Sequence, residues 1–148
     1  QTTINSKAYQ NQIHILNDKI KVITQACPLL VPIIEEGLMK QQITQDIINM
    51  YLNKLKKAQY DTLILGCTHY PLIKKIISEK IAQNTEIIDS SIITAKHVKQ
   101  FLTEHNIRAT NRQQPQSKFY ITDTTSKFKS IAKRFIQTEI IEVKKINI

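Results

Sequence analysis

Short runs of consecutive apolar residues alternate along the chain with stretches whose apolar residues recur at helical spacing, and this order predicts strands and helices in turn. A first helix is expected from Ser6 to Leu16, then a turn at Asn17-Asp18 and a strand from Lys21 to Ala26 that Pro28 ends. Leu29 to Leu38 reads as a helix stopping near Gly37, where glycine takes the left-handed conformation of a helix end. Thr44 has the side chain of an N-cap, and after it Ile47, Ile48, Tyr51, Leu52 and Leu55 form one apolar helical stripe. Thr62 to Gly66 is a short apolar run of the kind buried in parallel sheets. Pro71 suits the first turn of a further helix that faces Ile73, Ile76, Ile77 and Ile81 inward. Glu86 to Asp89 is a third strand, and Ser90 or Ser91 then caps a helix carrying Ala95, Val98, Phe101 and Leu102. Lys118 to Thr122 forms another strand, Phe128, Ile131, Ala132, Phe135 and Ile136 mark a last helix, and Ile140 to Val143 reads as an edge strand. The expected class is therefore α/β, a mostly parallel sheet flanked by helices. The polar stretch from Gln113 to Gln116 is the expected boundary between units.

Composition narrows the partners. With 148 residues, 41% hydrophobic and 22% charged, the chain is long enough for a real core and ordinary for a globular protein. No run approaches the roughly 18 apolar residues of a membrane span. The opening Gln1-Thr2-Thr3-Ile4-Asn5 also lacks the layout of a signal peptide. A cytoplasmic protein with no membrane partner is expected, and a first residue other than methionine leads us to expect a natural protein that begins upstream or one from which something has been cut away. The formal charge of +9 raises nucleic acid as a ligand. Its sources are short sets, Lys54, Lys56 and Lys57, then Lys74 and Lys75, then Lys127, Lys129, Lys133 and Arg134, each interleaved with apolar positions as on a solvated helix face. Four Phe, five Tyr and no Trp offer no stacking platform, so nucleic acid is not expected. Cys27 and Cys67, without a secretory signal, are expected as reduced thiols.

The chemistry concentrates in Gly66-Cys67-Thr68-His69-Tyr70-Pro71. Ligands of open parallel sheets gather beyond the carboxyl ends of the strands, where loops and helix starts present unpaired donors. This segment leaves a strand at Gly66, puts a thiol, a hydroxyl and an imidazole into one loop, and enters a helix at Pro71. A thiol so placed serves as a nucleophile or a proton carrier. Spacing alone leaves plainer readings open: a small core residue at a strand end for Cys67, and a satisfied polar side chain for His69. Together with Cys27 the pair matches no usual zinc spacing, so no metal is expected.

Leu65-Gly66-Cys67-Thr68-His69-Tyr70-Pro71-Leu72 resembles the signature around the second catalytic cysteine of glutamate racemases, in the aspartate/glutamate racemase family. The block from Gln25 to Gly37 resembles that family's upstream segment, and weaker similarities run through Thr3 to Tyr9, Ile88-Asp89-Ser90 and Phe119 to Thr122. The resemblance implies that Cys67 is one of two thiols that exchange a proton with opposite faces of the substrate α-carbon, with His69 assisting it. It further implies that Thr68 and His69 contact the bound amino acid, that Glu36 is an acid near His69, and that Cys27 is structural. Cofactor-free racemisation needs a base and an acid on opposite sides, which two cysteines supply, and no cofactor is expected. By the same analogy residues 1–89 form the second α/β domain and 90–148 return to complete the first. The other cysteine, within an Ala-Cys-Asn-Thr-like segment, and an Asp-Ser pair belong to an N-terminal half not found in this sequence. The implied substrate is glutamate, the implied product D-glutamate for peptidoglycan synthesis and cell shape, and a homodimer is left open. The chain by itself is expected to be inactive. A racemase for aspartate or another carbon acid, and a non-catalytic α/β remnant, remain competing readings.

Overall fold

In the computed structural model, which describes residues 2–110, 117–122, 128–136 and 143–147, strands and helices alternate as the apolar pattern requires. The chain divides into two compact units, Gln1–Val98 and Lys99–Ile148. That division lies within a helix. The expected boundary at Gln113 to Gln116 lies outside the described residues.

The first unit opens with two helices where one was expected, α1 (Thr2–Asn5) and α2 (Ala8–Leu16). Lys7 separates them with a left-handed backbone, φ 53°, a conformation that a non-glycine residue adopts only at a cost. The expected strand from Lys21 to Ala26 is not formed: among the described residues no strand pairs with this run, and without a ladder an apolar run stays irregular. Helix α3 (Leu30–Glu35) follows, then Gly37 at φ 77° and a single 3₁₀ turn, Leu38–Lys40. Helix α4 (Gln42–Lys56) starts two residues before the expected cap. Thr44 instead lies inside its first turn, fully buried, with its hydroxyl donating to the Leu38 carbonyl at 2.7 Å. It ties the helix to the preceding turn, where the sequence suggested a free cap.

Strands β1 (Thr62–Leu65) and β2 (Glu86–Asp89) pair in parallel, Thr62 opposite Glu86 and Leu65 opposite Asp89. Between them the expected helix at Pro71 is a 3₁₀ turn, Tyr70–Ile73, continued by α5 (Lys74–Ser78). The core of this unit joins Leu30 and Ile34 of α3, Ile48, Tyr51 and Leu52 of α4, Leu65 of β1, and Ile73 and Ile77. Ile76 and Ile81 pack against its edge. The end of β1 and the short helix α3 are thus held against one apolar mass, and non-directional burial brings together segments far apart in sequence.

Helix α6 (Ser90–Glu104) leaves β2 directly. The sequence assigned its cap to Ser90 or Ser91, but the acceptor is Asp89: its Oδ1 takes hydrogen bonds from the Ser91 amide at 3.0 Å and the Ser91 hydroxyl at 2.6 Å. Its Oδ2 lies 3.5 Å from Lys74 Nζ, and the residue is only 6% exposed. The Ser91 hydroxyl, followed by its amide and Lys74, holds the Asp89 carboxyl below the ordinary carboxylate range against the opposing effect of burial. A carboxyl depressed in the folded state stabilises the fold above its unfolded pKa, and that contribution is lost as pH falls through the folded value. Thermal unfolding of the chain is therefore expected to move to lower temperature as pH drops below about 4, and the dependence should flatten in Asp89→Asn. Parallel pH profiles of the two proteins would show that Asp89 plays no such part.

The second unit contains β3 (Phe119–Ile121), α7 (Phe128–Ile136) and β4 (Val143–Lys145). β3 and β4 pair in parallel with Phe119 opposite Val143. The expected edge strand at Ile140 to Val143 meets β4 at Val143, and its other residues lie outside those described. Among the described residues no helix is long and apolar enough to cross a membrane.

Candidate functional site

β1 ends at buried Leu65, and Gly66 bends the chain out of it, its amide bonded to the Ile64 carbonyl at 3.1 Å in a three-residue turn. A Cβ placed on Gly66 would lie 3.4 Å from the Tyr9 ring, so α2 closes one side of the strand end. The chain then turns back on itself, the Tyr70 amide bonding the Cys67 carbonyl at 3.2 Å and the Leu72 amide the His69 carbonyl at 3.2 Å. These bonds fold Cys67, Thr68 and His69 into one tight turn, with Cys67 half-buried and Thr68 exposed.

His69 stands between a thiol and a carboxylate. Its Nδ1 is 4.0 Å from Cys67 Sγ and 3.4 Å from Thr68 Oγ1, and its Nε2 is 3.1 Å from Glu35 Oε1. A carboxylate only accepts, so in the neutral ring the proton sits on Nε2 and Nδ1 is left as an acceptor toward the thiol and the hydroxyl. This arrangement lets the imidazole take a proton from Cys67 while Glu35 stabilises the resulting cation. The imidazole is 22% exposed and the carboxylate 40%, so water reaches the pair from one side.

The four residues singled out in the sequence divide here. Cys67, Thr68 and His69 meet in the turn. The expected acid was Glu36, whereas the carboxylate found on His69 Nε2 is that of Glu35, the last residue of α3. Glu36 follows at the helix end, exposed, with its amide bonded to the Pro32 carbonyl at 2.9 Å. Successive helical residues point about 100° apart, so neighbours in sequence face different surroundings.

The other cysteine is close by but differently placed. Burial pushes the Cys27 thiol up to about 11, so at neutral pH it carries its proton. Its sulfur lies 3.5 Å from the Gln25 carbonyl, and its own carbonyl accepts a hydrogen bond from the Tyr70 hydroxyl at 3.4 Å. Burial likewise raises the Tyr70 phenol, which stays neutral. Sequence reasoning passed over Tyr70 and Glu35, although each belongs to a block it had singled out. Among the described residues no three His, Cys, Asp or Glu side chains converge as a metal site.

No family model matches the chain. Individual proteins do. A glutamate racemase of Neisseria meningitidis serogroup C is 37% identical over 147 residues, which are 99% of this chain and 54% of the relative. The crystal structure of glutamate racemase from Francisella tularensis, in complex with D-glutamate, superposes with a TM-score of 0.88 at 36% identity, over 98% of this chain and 54% of that one. Glutamate racemase from Thermus thermophilus, in complex with β-chloro-D-alanine, gives a TM-score of 0.80 at 27% identity, over 100% and 54% of the two chains. The chain spans about half the length of the relatives it matches. In sequence and in fold, over nearly all its residues, it matches the C-terminal portion of the glutamate racemases.

Proposed function

We propose that this chain is one half of a glutamate racemase and supplies one of its two proton-carrying thiols, Cys67. What carries the reading is the line of contacts from Cys67 Sγ to His69 Nδ1 and from His69 Nε2 to Glu35, set at the end of a parallel strand. The Cys67 thiolate takes the α-proton of one enantiomer, the electron pair moves toward the substrate carboxylate, and a thiol from the complementary half protonates the opposite face. In the reverse direction the Cys67 thiol gives its proton to the carbanion. His69 holds or returns the proton of the thiol through Nδ1, and Glu35 fixes the ring by accepting from Nε2–H. Once Nδ1 has taken up the thiol proton, the exposed Thr68 hydroxyl turns its own proton from Nδ1 to the substrate carboxylate as negative charge builds there.

Both proton transfers are carried by side chains, so the reaction draws on no cofactor of this chain. Residues 1–89 act as the second domain and 90–148 complete the first, and the D-glutamate formed serves peptidoglycan synthesis in the cytoplasm. Cys27 does not replace the opposing thiol: it holds its proton at neutral pH and belongs to the same half-site.

Two proteins test this. The 148-residue chain alone is expected to leave L-glutamate unchanged, and a protein that joins it to the portion of a racemase it does not span is expected to interconvert the enantiomers. Chiral chromatography reads both. Racemisation by the chain alone, or none by a folded joined protein, contradicts the proposal.

A further inference from the structure

Helix α3 is six residues long, too short to hold its place by its own hydrogen bonds. Burial of Leu30, Ile33 and Ile34 sets how deep it sits, but aliphatic packing has no direction and fixes sliding and rotation poorly. Two directional bonds reach it from consecutive residues of the Cys67 turn. His69 meets Glu35 at its last residue, at 3.1 Å, and the Tyr70 hydroxyl donates at 3.4 Å to the Cys27 carbonyl just before its start. That carbonyl also accepts the Leu30 amide at 3.2 Å, closing the turn from which α3 springs. The next amide along that turn, Leu29, donates to the Tyr51 hydroxyl at 3.3 Å, which anchors the turn to α4 as well.

We propose that Tyr70 is a positioning residue for the Cys67 half-site: its hydroxyl fixes α3 along its axis so that Glu35 stays on His69 Nε2 and Nδ1 stays turned toward the thiol. The inference rests on the proton-carrying reading of Cys67 and His69. A slide of about half an ångström would stretch the Glu35 bond past the length of a hydrogen bond and weaken the hold on Nε2 that keeps Nδ1 toward Cys67. The phenol acts through Cys27, whose carbonyl and thiol it meets, and through the carboxylate at the far end of the helix.

The 148-residue chain serves for the test, with the rate of Cys67 alkylation by iodoacetamide followed against pH and resolved from Cys27 by peptide mass spectrometry. Tyr70→Phe keeps the ring that packs on the core and removes only the hydroxyl, and Glu35→Gln provides the comparison. Each is expected to slow alkylation near pH 7 by about fivefold, the change that one hydrogen bond of ordinary net strength supports. Each should displace the pH profile in the same direction. The double variant should be little slower than the slower single one, because both act through one geometry. A lower melting temperature in Tyr70→Phe with a profile that superimposes on the wild-type curve overturns the proposal, since packing alone accounts for it. In that event a profile displaced by Glu35→Gln leaves the His69–Glu35 reading standing without Tyr70, and one displaced by neither takes that reading down too.

Discussion

Cys67→Ser, in a protein that joins this chain to the rest of a racemase, is expected to lower the racemisation rate by about 10³-fold or more, within the range that a positioned proton carrier contributes. The substitution keeps the size and the hydrogen-bonding groups of the side chain. What it changes is acidity: a thiol releases its proton within reach of neutral pH, while a hydroxyl does so far above it, so almost no competent base remains. His69 Nδ1, 4.0 Å from the sulfur, is too weak a base to make an alkoxide in its place. Because Thr68 is untouched, the Michaelis constant should change much less than the turnover number. An equal loss in both directions of the reaction is expected, since one carrier serves as base one way and acid the other. A variant that retains more than a tenth of the wild-type rate would show that Cys67 is a core residue at a strand end.

The second large effect is expected at His69. His69→Asn removes the acceptor that faces the thiol and the ring that Glu35 holds at 3.1 Å, and should cost about 10²-fold in turnover. The loss is smaller than for Cys67 because the imidazole assists the proton carrier and does not itself take the α-proton. Its mark is in the pH profile, whose shape should change, while a substitution that merely loosened the turn would lower the whole curve without changing its shape. Steady-state rates of the joined protein between pH 6 and pH 10, about four units that bracket imidazole and thiol titration, discriminate the two. An unaltered profile at wild-type rate contradicts the role given to His69.

What could be read from the sequence was whatever lies in one continuous stretch. Gly66 to Pro71 carries its thiol, hydroxyl and imidazole within three consecutive positions, so the turn that gathers them was legible before any fold was known. The apolar runs at Thr62 to Leu65 and Glu86 to Asp89 likewise announced the two strands that pair. What joins distant segments was not legible. Glu35 and His69 are 34 positions apart and Tyr70 and Cys27 are 43, and no local pattern records which face of a short helix meets which loop. The choice between Glu35 and Glu36 turned on that rotation. Lys21 to Ala26 misled for the opposite reason: its composition suits a strand, but a strand exists only where a partner completes its ladder. The cap of α6 lies before both expected serines because Asp89 is as good a capping side chain as Ser90 or Ser91, and the Ser91 hydroxyl and amide, with Lys74, hold its carboxylate in place to accept.

If Cys67 serves one face of the substrate, hydrogen exchange at that face depends on it. With the joined protein in deuterium oxide, each glutamate enantiomer is supplied separately and the deuterium at its α-carbon is followed by NMR before appreciable conversion. Wild-type protein is expected to exchange both enantiomers. Cys67→Ser is expected to lose exchange into the enantiomer whose α-proton faces Cys67, while exchange into the other, served by the opposing thiol, persists. Unchanged exchange into both enantiomers in the variant would contradict the assignment of Cys67 as a proton carrier.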